Sequence, residues 1–261
     1  MYLKINGIKL HYMRKGSGKP LLFVHGWGGS SNSLDSLSSF FKDTHDVIIL
    51  DLPGFGKSDL PNSNWGSFDY VELIAQFITK LGLSNIIYFG HSFGGSLGII
   101  LSSTHPPLIS KLILCNSAYK RTDKKSNTAS SLKRLFYSIP LLNKAGPFFR
   151  RLGYSIFFRN SDLYKFPKLE SNFKKIMSED LTSLLSTVHV PTLILWGEED
   201  KQTPVSLAYE LKSKIQNSPL RPADRDFAGQ TKLKIFKGKR HNLPLSDPQL
   251  VAQEIKVFIN T

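Results

Sequence analysis

Cysteine is almost absent. Cys115 is the only one in 261 residues, so no internal disulfide can form. No apolar run approaches the roughly 18 to 20 residues needed to span a bilayer, which leaves no transmembrane segment to expect. The stretch Met1-Tyr2-Leu3-Lys4-Ile5-Asn6 lacks the basic-then-apolar layout of a signal peptide. A soluble cytoplasmic protein is the resulting expectation, although a lone cysteine is also compatible with export. Acidic residues are scarce, 20 against 34 Lys and Arg, giving a net charge of +14. There is no helix-turn-helix, zinc or RNP-like signature, so this charge does not make nucleic acid the expected partner. Nothing in the composition is disordered, collagenous or repeat-built; the apolar fraction of 41% and charged fraction of 21% are those of a globular protein.

What is present is a series of short apolar runs. Tyr2-Leu3-Lys4-Ile5 and Ile8 to Met13 flank Asn6-Gly7 and read as a hairpin. Pro20 to Val24, Val47 to Leu50, Ile86 to Phe89, Leu112 to Cys115, Thr192 to Trp196 and Leu233 to Phe236 follow. Continuous apolar strands suit a sheet covered on both faces. Between them Val71, Ile74, Ala75, Ile78 and Leu81 recur at helical spacing, with Ser67 or Asp69 as cap. A helix over Ser96 to Ser103 stops before His105-Pro106-Pro107, and Pro204 to Ile215 and Pro248 to Ile259 are further amphipathic candidates. This alternation predicts an α/β fold with a mainly parallel sheet and right-handed crossovers, its active residues at the C-terminal ends of the strands.

Tyr119 to Ser186 breaks the alternation. It has no clear strand and carries helical patterns around Ser131–Tyr137 and Pro147–Phe158. We therefore expect a core of residues 1–118 and 187–261 with a helical cap, 119–186, inserted between two core strands. The cap holds 14 Lys and Arg against 5 Asp and Glu, so a quarter of the chain carries +9 of the +14. Such a concentration is either a solvated helical face or a docking surface for an acidic partner or an anionic surface. The polar stretch Asn217 to Gln230 has no assigned role.

Gly90-His91-Ser92-Phe93-Gly94-Gly95 lies between a strand and a helix. A serine on that sharp turn takes a strained backbone, and small residues two positions away let the main chains approach. It also stands at a helix N-terminus, where developing negative charge is favoured. His25-Gly26-Trp27-Gly28-Gly29 ends another strand. The main-chain N–H groups of Trp27 and Phe93 are the candidate oxyanion donors, each worth about 3 kcal/mol in good geometry. His25 reads as a residue that fixes its loop. Glu198, Glu199 and Asp200 follow a buried strand and compete for the acid role, and His241, beyond the last strand, is the candidate general base.

Phe23-Val24-His25-Gly26-Trp27-Gly28, Asp51-Leu52-Pro53-Gly54-Phe55-Gly56-Lys57-Ser58, Gly90 to Gly95, Gly197-Glu198-Glu199-Asp200 and Arg240-His241 together resemble the successive signature blocks of α/β-hydrolases. The resemblance reaches both ends of the chain. It implies the α/β-hydrolase fold, with a sheet flanked by helices, and a serine nucleophile. Ser, acid, His is the order expected of this fold. The family's acid stands three positions after Gly197, which selects Asp200; its alternative acid site holds Asn116-Ser117 here and offers no carboxylate. The Asp51–Ser58 block is structural in the family.

Ser92 at the elbow separates this chain from related dehalogenases and epoxide hydrolases, which carry Asp there. His25-Gly26-Trp27-Gly28 departs from the HGGPG block of proline iminopeptidases. Asn242, where carbon–carbon bond hydrolases often have an aromatic residue, demotes that alternative. A serine esterase acting on small to medium carboxylic esters or thioesters, with Ser92, Asp200 and His241 as catalytic residues, is the expectation, and it needs no metal or organic cofactor. His25-Gly26-Trp27-Gly28 and Asp51 to Ser58 also resemble the blocks of pimeloyl-acyl carrier protein methyl ester esterases, which adds a narrower alternative, with an acidic carrier docking on Lys133, Arg134, Arg150, Arg151 and Arg159. A non-catalytic ligand-binding protein on the same scaffold is the alternative of another class; the intact serine, acid and histidine set argues against it.

Overall fold

The computed structural model describes residues 1–120, 165–217 and 231–261. Eight strands form one sheet: β1 (Tyr2–Ile5), β2 (Ile8–Lys15), β3 (Lys19–Val24), β4 (His45–Leu50), β5 (Ile86–His91), β6 (Ile109–Cys115), β7 (Thr192–Gly197) and β8 (Thr231–Phe236). Their order is β1-β2-β4-β3-β5-β6-β7-β8. β1, β2 and β4 pair antiparallel, and all pairs from β4 to β8 are parallel. The first hairpin turns at Asn6 (φ 48°) and Gly7 (φ 86°), both in the left-handed region that a two-residue turn requires.

The helices are α1 (Ser31–Ser38), α2 (Ser67–Lys80), α3 (Phe93–Thr104), α4 (Glu170–Ser178), α5 (Ser206–Gln216), α6 (Leu243–Ser246) and α7 (Pro248–Ile259). Strand residues alternate between two cores, as their period of two dictates. Leu22, Val24, Ile48 and Leu50 pack under α2, α3 and α5, whereas Leu21, Phe23, Val47 and Ile49 pack under α1, α6 and α7. Both faces being covered, β5 is buried at every residue. β8 differs: it ends the sheet and exposes Lys232 and Lys234 at alternate positions.

Chain order runs β3, β4, then back across to β5, so β3 has β4 on one side and β5 on the other. That reversal opens a crevice beyond the C-terminal ends of β3 and β5, where Val24 pairs with Gly90. The loops carrying His25–Gly29 and Ser92 both leave from it.

Two differences from the sequence reading have physical causes. α1 is not apparent in the pattern because SNSLDSLS is rich in a weak helix former; the buried Asp51 carboxylate accepts from the Ser31 N–H and supplies the missing stabilisation. The cap of α2 is Gly66, not Ser67 or Asp69. Ser67 is already helical, and Asp69 accepts from the Gly66 N–H at 2.7 Å. The helices expected around Ser131–Tyr137 and Pro147–Phe158, and residues 218–230 of the polar loop, lie outside the described residues. The described part of the 119–186 segment shows α4 and 3-10 turns at Pro167–Leu169 and Thr182–Thr187. Among the described residues, no helix is long and apolar enough to cross a membrane.

A carboxylate from this segment finishes α2. Glu179 accepts from the Ser67 N–H at 3.0 and 3.2 Å, filling one of the donors that a helix start leaves open. Glu179→Ala is expected to lower unfolding stability by about 1 kcal/mol, and Glu179→Gln by less because an acceptor remains. Urea denaturation measures both; two midpoints indistinguishable from wild type overturn the assignment.

Candidate active site

Ser92 sits between β5 and α3 with φ 52° and ψ −113°, a conformation that L residues rarely hold. Main-chain bonds brace it. Its N–H donates to the Cys115 carbonyl at 2.9 Å, and its own carbonyl accepts from Gly95 (2.9 Å), Ser96 (3.2 Å) and Ala118 (3.3 Å). Close approach explains the flanking glycines: a Cβ on Gly90 would strike the Gly94 carbonyl, and one on Gly94 would strike that of Val24.

The structure brings Ser92, His241 and Asp200 together. His241 Nε2 lies 3.0 Å from Ser92 Oγ, and His241 Nδ1 lies 2.7 Å from Asp200 Oδ2. His241 is 8% and Asp200 5% exposed, so both stand away from bulk water. Asp200 Oδ1 accepts from the N–H groups of Gln202 (2.8 Å) and Thr203 (2.9 Å). Its Oδ2 accepts from Thr203 Oγ1 (2.6 Å) and Asn116 Nδ2 (2.5 Å) besides the histidine. Burial pushes this carboxyl up, but the hydrogen bonds from His241 and Thr203 outweigh it and hold it at about 2. Glu198 and Glu199 are exposed, and neither bonds to His241.

The loop after β3 lies against the serine, with the position a Gly26 Cβ would take only 3.0 Å from Ser92 Cβ. Gly29 N–H closes the turn onto the Gly26 carbonyl at 3.0 Å. Among the described residues, no group accepts a hydrogen bond from the main-chain N–H of Trp27 or Phe93. Phe93 opens α3, where the N–H has no intrahelical partner. His25 fixes the loop: Nδ1–H donates to the Gly26 carbonyl (2.7 Å) and Nε2 accepts from Leu52 N–H (3.1 Å). Burial lowers its pKa, which keeps the ring neutral for both roles. An aromatic wall stands beside this loop. Trp27 contacts Phe55, Phe93 and Phe173 with ring centroids 4.9, 5.7 and 5.1 Å apart, and Phe166 lies over Gly28 and against Phe55.

Residues 19–139 match the family described as the alpha/beta hydrolase fold. The chain is also similar over its whole length to solved members, among them the enol-lactonase from Burkholderia xenovorans LB400, with TM-score 0.76, 18% identity and all of both chains covered. The fold is that of the α/β-hydrolases. The chain is 26% identical to the uncharacterized hydrolase YugF of Bacillus subtilis, over 95% of its own length and 92% of that protein. It is 23% identical to the (E)-2-((N-methylformamido)methylene)succinate hydrolase of Acinetobacter baylyi, with 98% and 96% covered.

Asn116, Thr203 and His91 are parts of the hydrolase site that the sequence reading did not weigh. Thr203 carried a local signal, a hydroxyl three residues after an Asp that needs donors. Asn116 offers no carboxylate of its own; its amide instead donates to Asp200 from the neighbouring strand end. No cluster of three or more His, Cys, Asp or Glu among the described residues is arranged to hold a metal ion.

A pH dependence follows from Asp200. Its folded pKa lies below the ordinary 3.8, so ionisation favours the folded state above that value, and the contribution is lost as pH falls toward about 2. The stability gap between wild type and Asp200→Asn is therefore expected to narrow from about pH 4 down to about pH 2 in urea titrations. A gap constant over that range contradicts this.

Proposed function

We propose that this hydrolase cleaves carboxylic esters or thioesters of small to medium acyl substrates through an acyl-enzyme. Ser92 is the nucleophile, His241 the general base and Asp200 the acid that orients it. The carrying observation is the unbroken hydrogen-bonded series from Ser92 Oγ through both nitrogens of His241 to Asp200 Oδ2, starting on a strained turn.

His241 Nε2 takes the hydroxyl proton as Ser92 Oγ attacks the substrate carbonyl carbon. The resulting oxyanion is received by the N–H groups of Trp27 and Phe93, which no described residue uses. Collapse expels the alcohol or thiol, which takes its proton from His241. Water then gives a proton to His241 and attacks the acyl carbonyl; breaking the ester to Ser92 Oγ releases the acid and restores the hydroxyl. Asp200, already ionised, stabilises the imidazolium in both halves. No cofactor enters any step.

The aromatic wall of Trp27, Phe55, Phe166 and Phe173 supports an apolar group on the substrate, entered beneath a helical cap over residues 119–186. The lysines and arginines invoked for carrier docking lie outside the described residues, so that narrower reading rests on the motif resemblance and on charge. Activity on an acyl-carrier substrate that falls with added salt favours it, and equal turnover of free short esters at low and high salt counts against it.

Ser92→Ala is expected to reduce p-nitrophenyl butyrate hydrolysis by about 10⁴-fold or more. A fluorophosphonate probe should label wild type and leave the variant unlabelled. Unchanged hydrolysis in Ser92→Ala sinks the reading.

A further inference from the structure

His241 reaches Ser92 from far across the sheet. β8, which precedes it, is three strand positions from β5, a span of about 14 Å at the usual strand spacing. The loop after β8 must lean over β7 and β6, and only part of its support comes from the near side. Glu199 N–H donates to the Lys239 carbonyl at 2.8 Å. Gly197 has no Cβ, which would lie 2.7 Å from the Arg240 carbonyl. At the far end one side chain receives the loop: His91 Nε2 stands 2.9 Å from the His241 main-chain carbonyl.

A carbonyl can only accept, so Nε2 carries the proton. His91 is 7% exposed, and its unprotonated Nδ1 faces Gly26, where a Cβ would lie 3.3 Å away. Burial, reinforced by the neighbouring His241, lowers its pKa to about 3. The ring is thus uncharged at working pH. That matters because its centroid is 5.1 Å from that of His241, and a charge there would oppose the imidazolium. The strand end that presents the nucleophile thus also grips the residue that activates it.

We propose that His91 is a positioning residue: its Nε2–H clamps the His241 carbonyl and so fixes the His241 ring between Ser92 and Asp200. This rests on the serine-hydrolase reading above. The clamp, not the volume of the ring, is the function. Gln places its amide nitrogen as many bonds from Cβ as His places Nε2, and Asn matches Nδ1 instead. His91→Gln can therefore restore the donor, whereas His91→Leu fills space without one and His91→Asn points a donor to the wrong place.

Two readouts test this on the full chain, with folding checked by circular dichroism. The first is p-nitrophenyl butyrate turnover. His91→Leu is expected to lose about 10- to 100-fold in kcat with KM nearly unchanged, and His91→Gln to stay within about fivefold of wild type. The second is the far-downfield proton resonance of the His241 Nδ1–H bonded to Asp200, present in wild type and His91→Gln and lost or broadened in His91→Leu. It does not require ester turnover, so it tests the clamp even if the ester reading fails. Should His91→Leu not fold, His91→Asn takes its place with the same expectation. Equal kcat in the Gln and Leu (or Asn) variants, or an unchanged resonance in the variant without the donor, overturns the proposal.

Discussion

The strained turn at Ser92 is the constraint around which the other parts are arranged. A residue held in a sparsely populated conformation costs about 1 to 3 kcal/mol, so its surroundings must determine it from several sides. Here the Cys115 carbonyl holds its N–H, the first turn of α3 and the Ala118 N–H hold its carbonyl, and two glycines admit the neighbouring main chains. Because β3 pairs with β5, the turn and the His25–Gly29 loop are locked to one another by strand register. The parallel order of β5 to β8 then brings the acid and the histidine to the same edge of the sheet.

Two buried carboxylates illustrate how one device serves different ends. Asp51 accepts from the Ser31 and Lys57 N–H groups and from the His11 ring at 2.7 Å. Asp200 likewise accepts from main-chain N–H groups and a histidine ring. Each is ionised below the usual range, with burial opposed by hydrogen bonds. Asp51 ties α1, β2 and the Asp51–Ser58 loop together, and the Ser58 hydroxyl donates to the Asp51 main-chain carbonyl at 2.7 Å. Asp200 faces a histidine whose other nitrogen meets a serine on a strained turn. The difference lies in what stands behind the imidazole.

The strands were legible because burial on both faces demands unbroken apolar runs, and the Ser92 turn because glycine is the only residue its crowding admits. The observed strands extend the sequence-based ones by one to three residues at several ends, as at Ile109–Cys115 against Leu112–Cys115. Features set by tertiary partners were not legible. α1 depends on a carboxylate 20 residues away, and the α2 start on Glu179, 112 residues away. His91 joins His241 across 150 residues, a contact with no periodicity or spacing to betray it. Local propensity cannot record such partners, because their energy exists only once the sheet has formed.

β8 has a consequence beyond the site. The last strand of an open sheet offers a free row of N–H and C=O groups to any other chain. Were two copies to join antiparallel through it, Lys232 and Lys234 of one would be set among the same lysines of the other, and like charges side by side across strands repel. Charge at exposed alternate positions of an edge strand disfavours such pairing, and the surplus of +14 adds to the repulsion between copies.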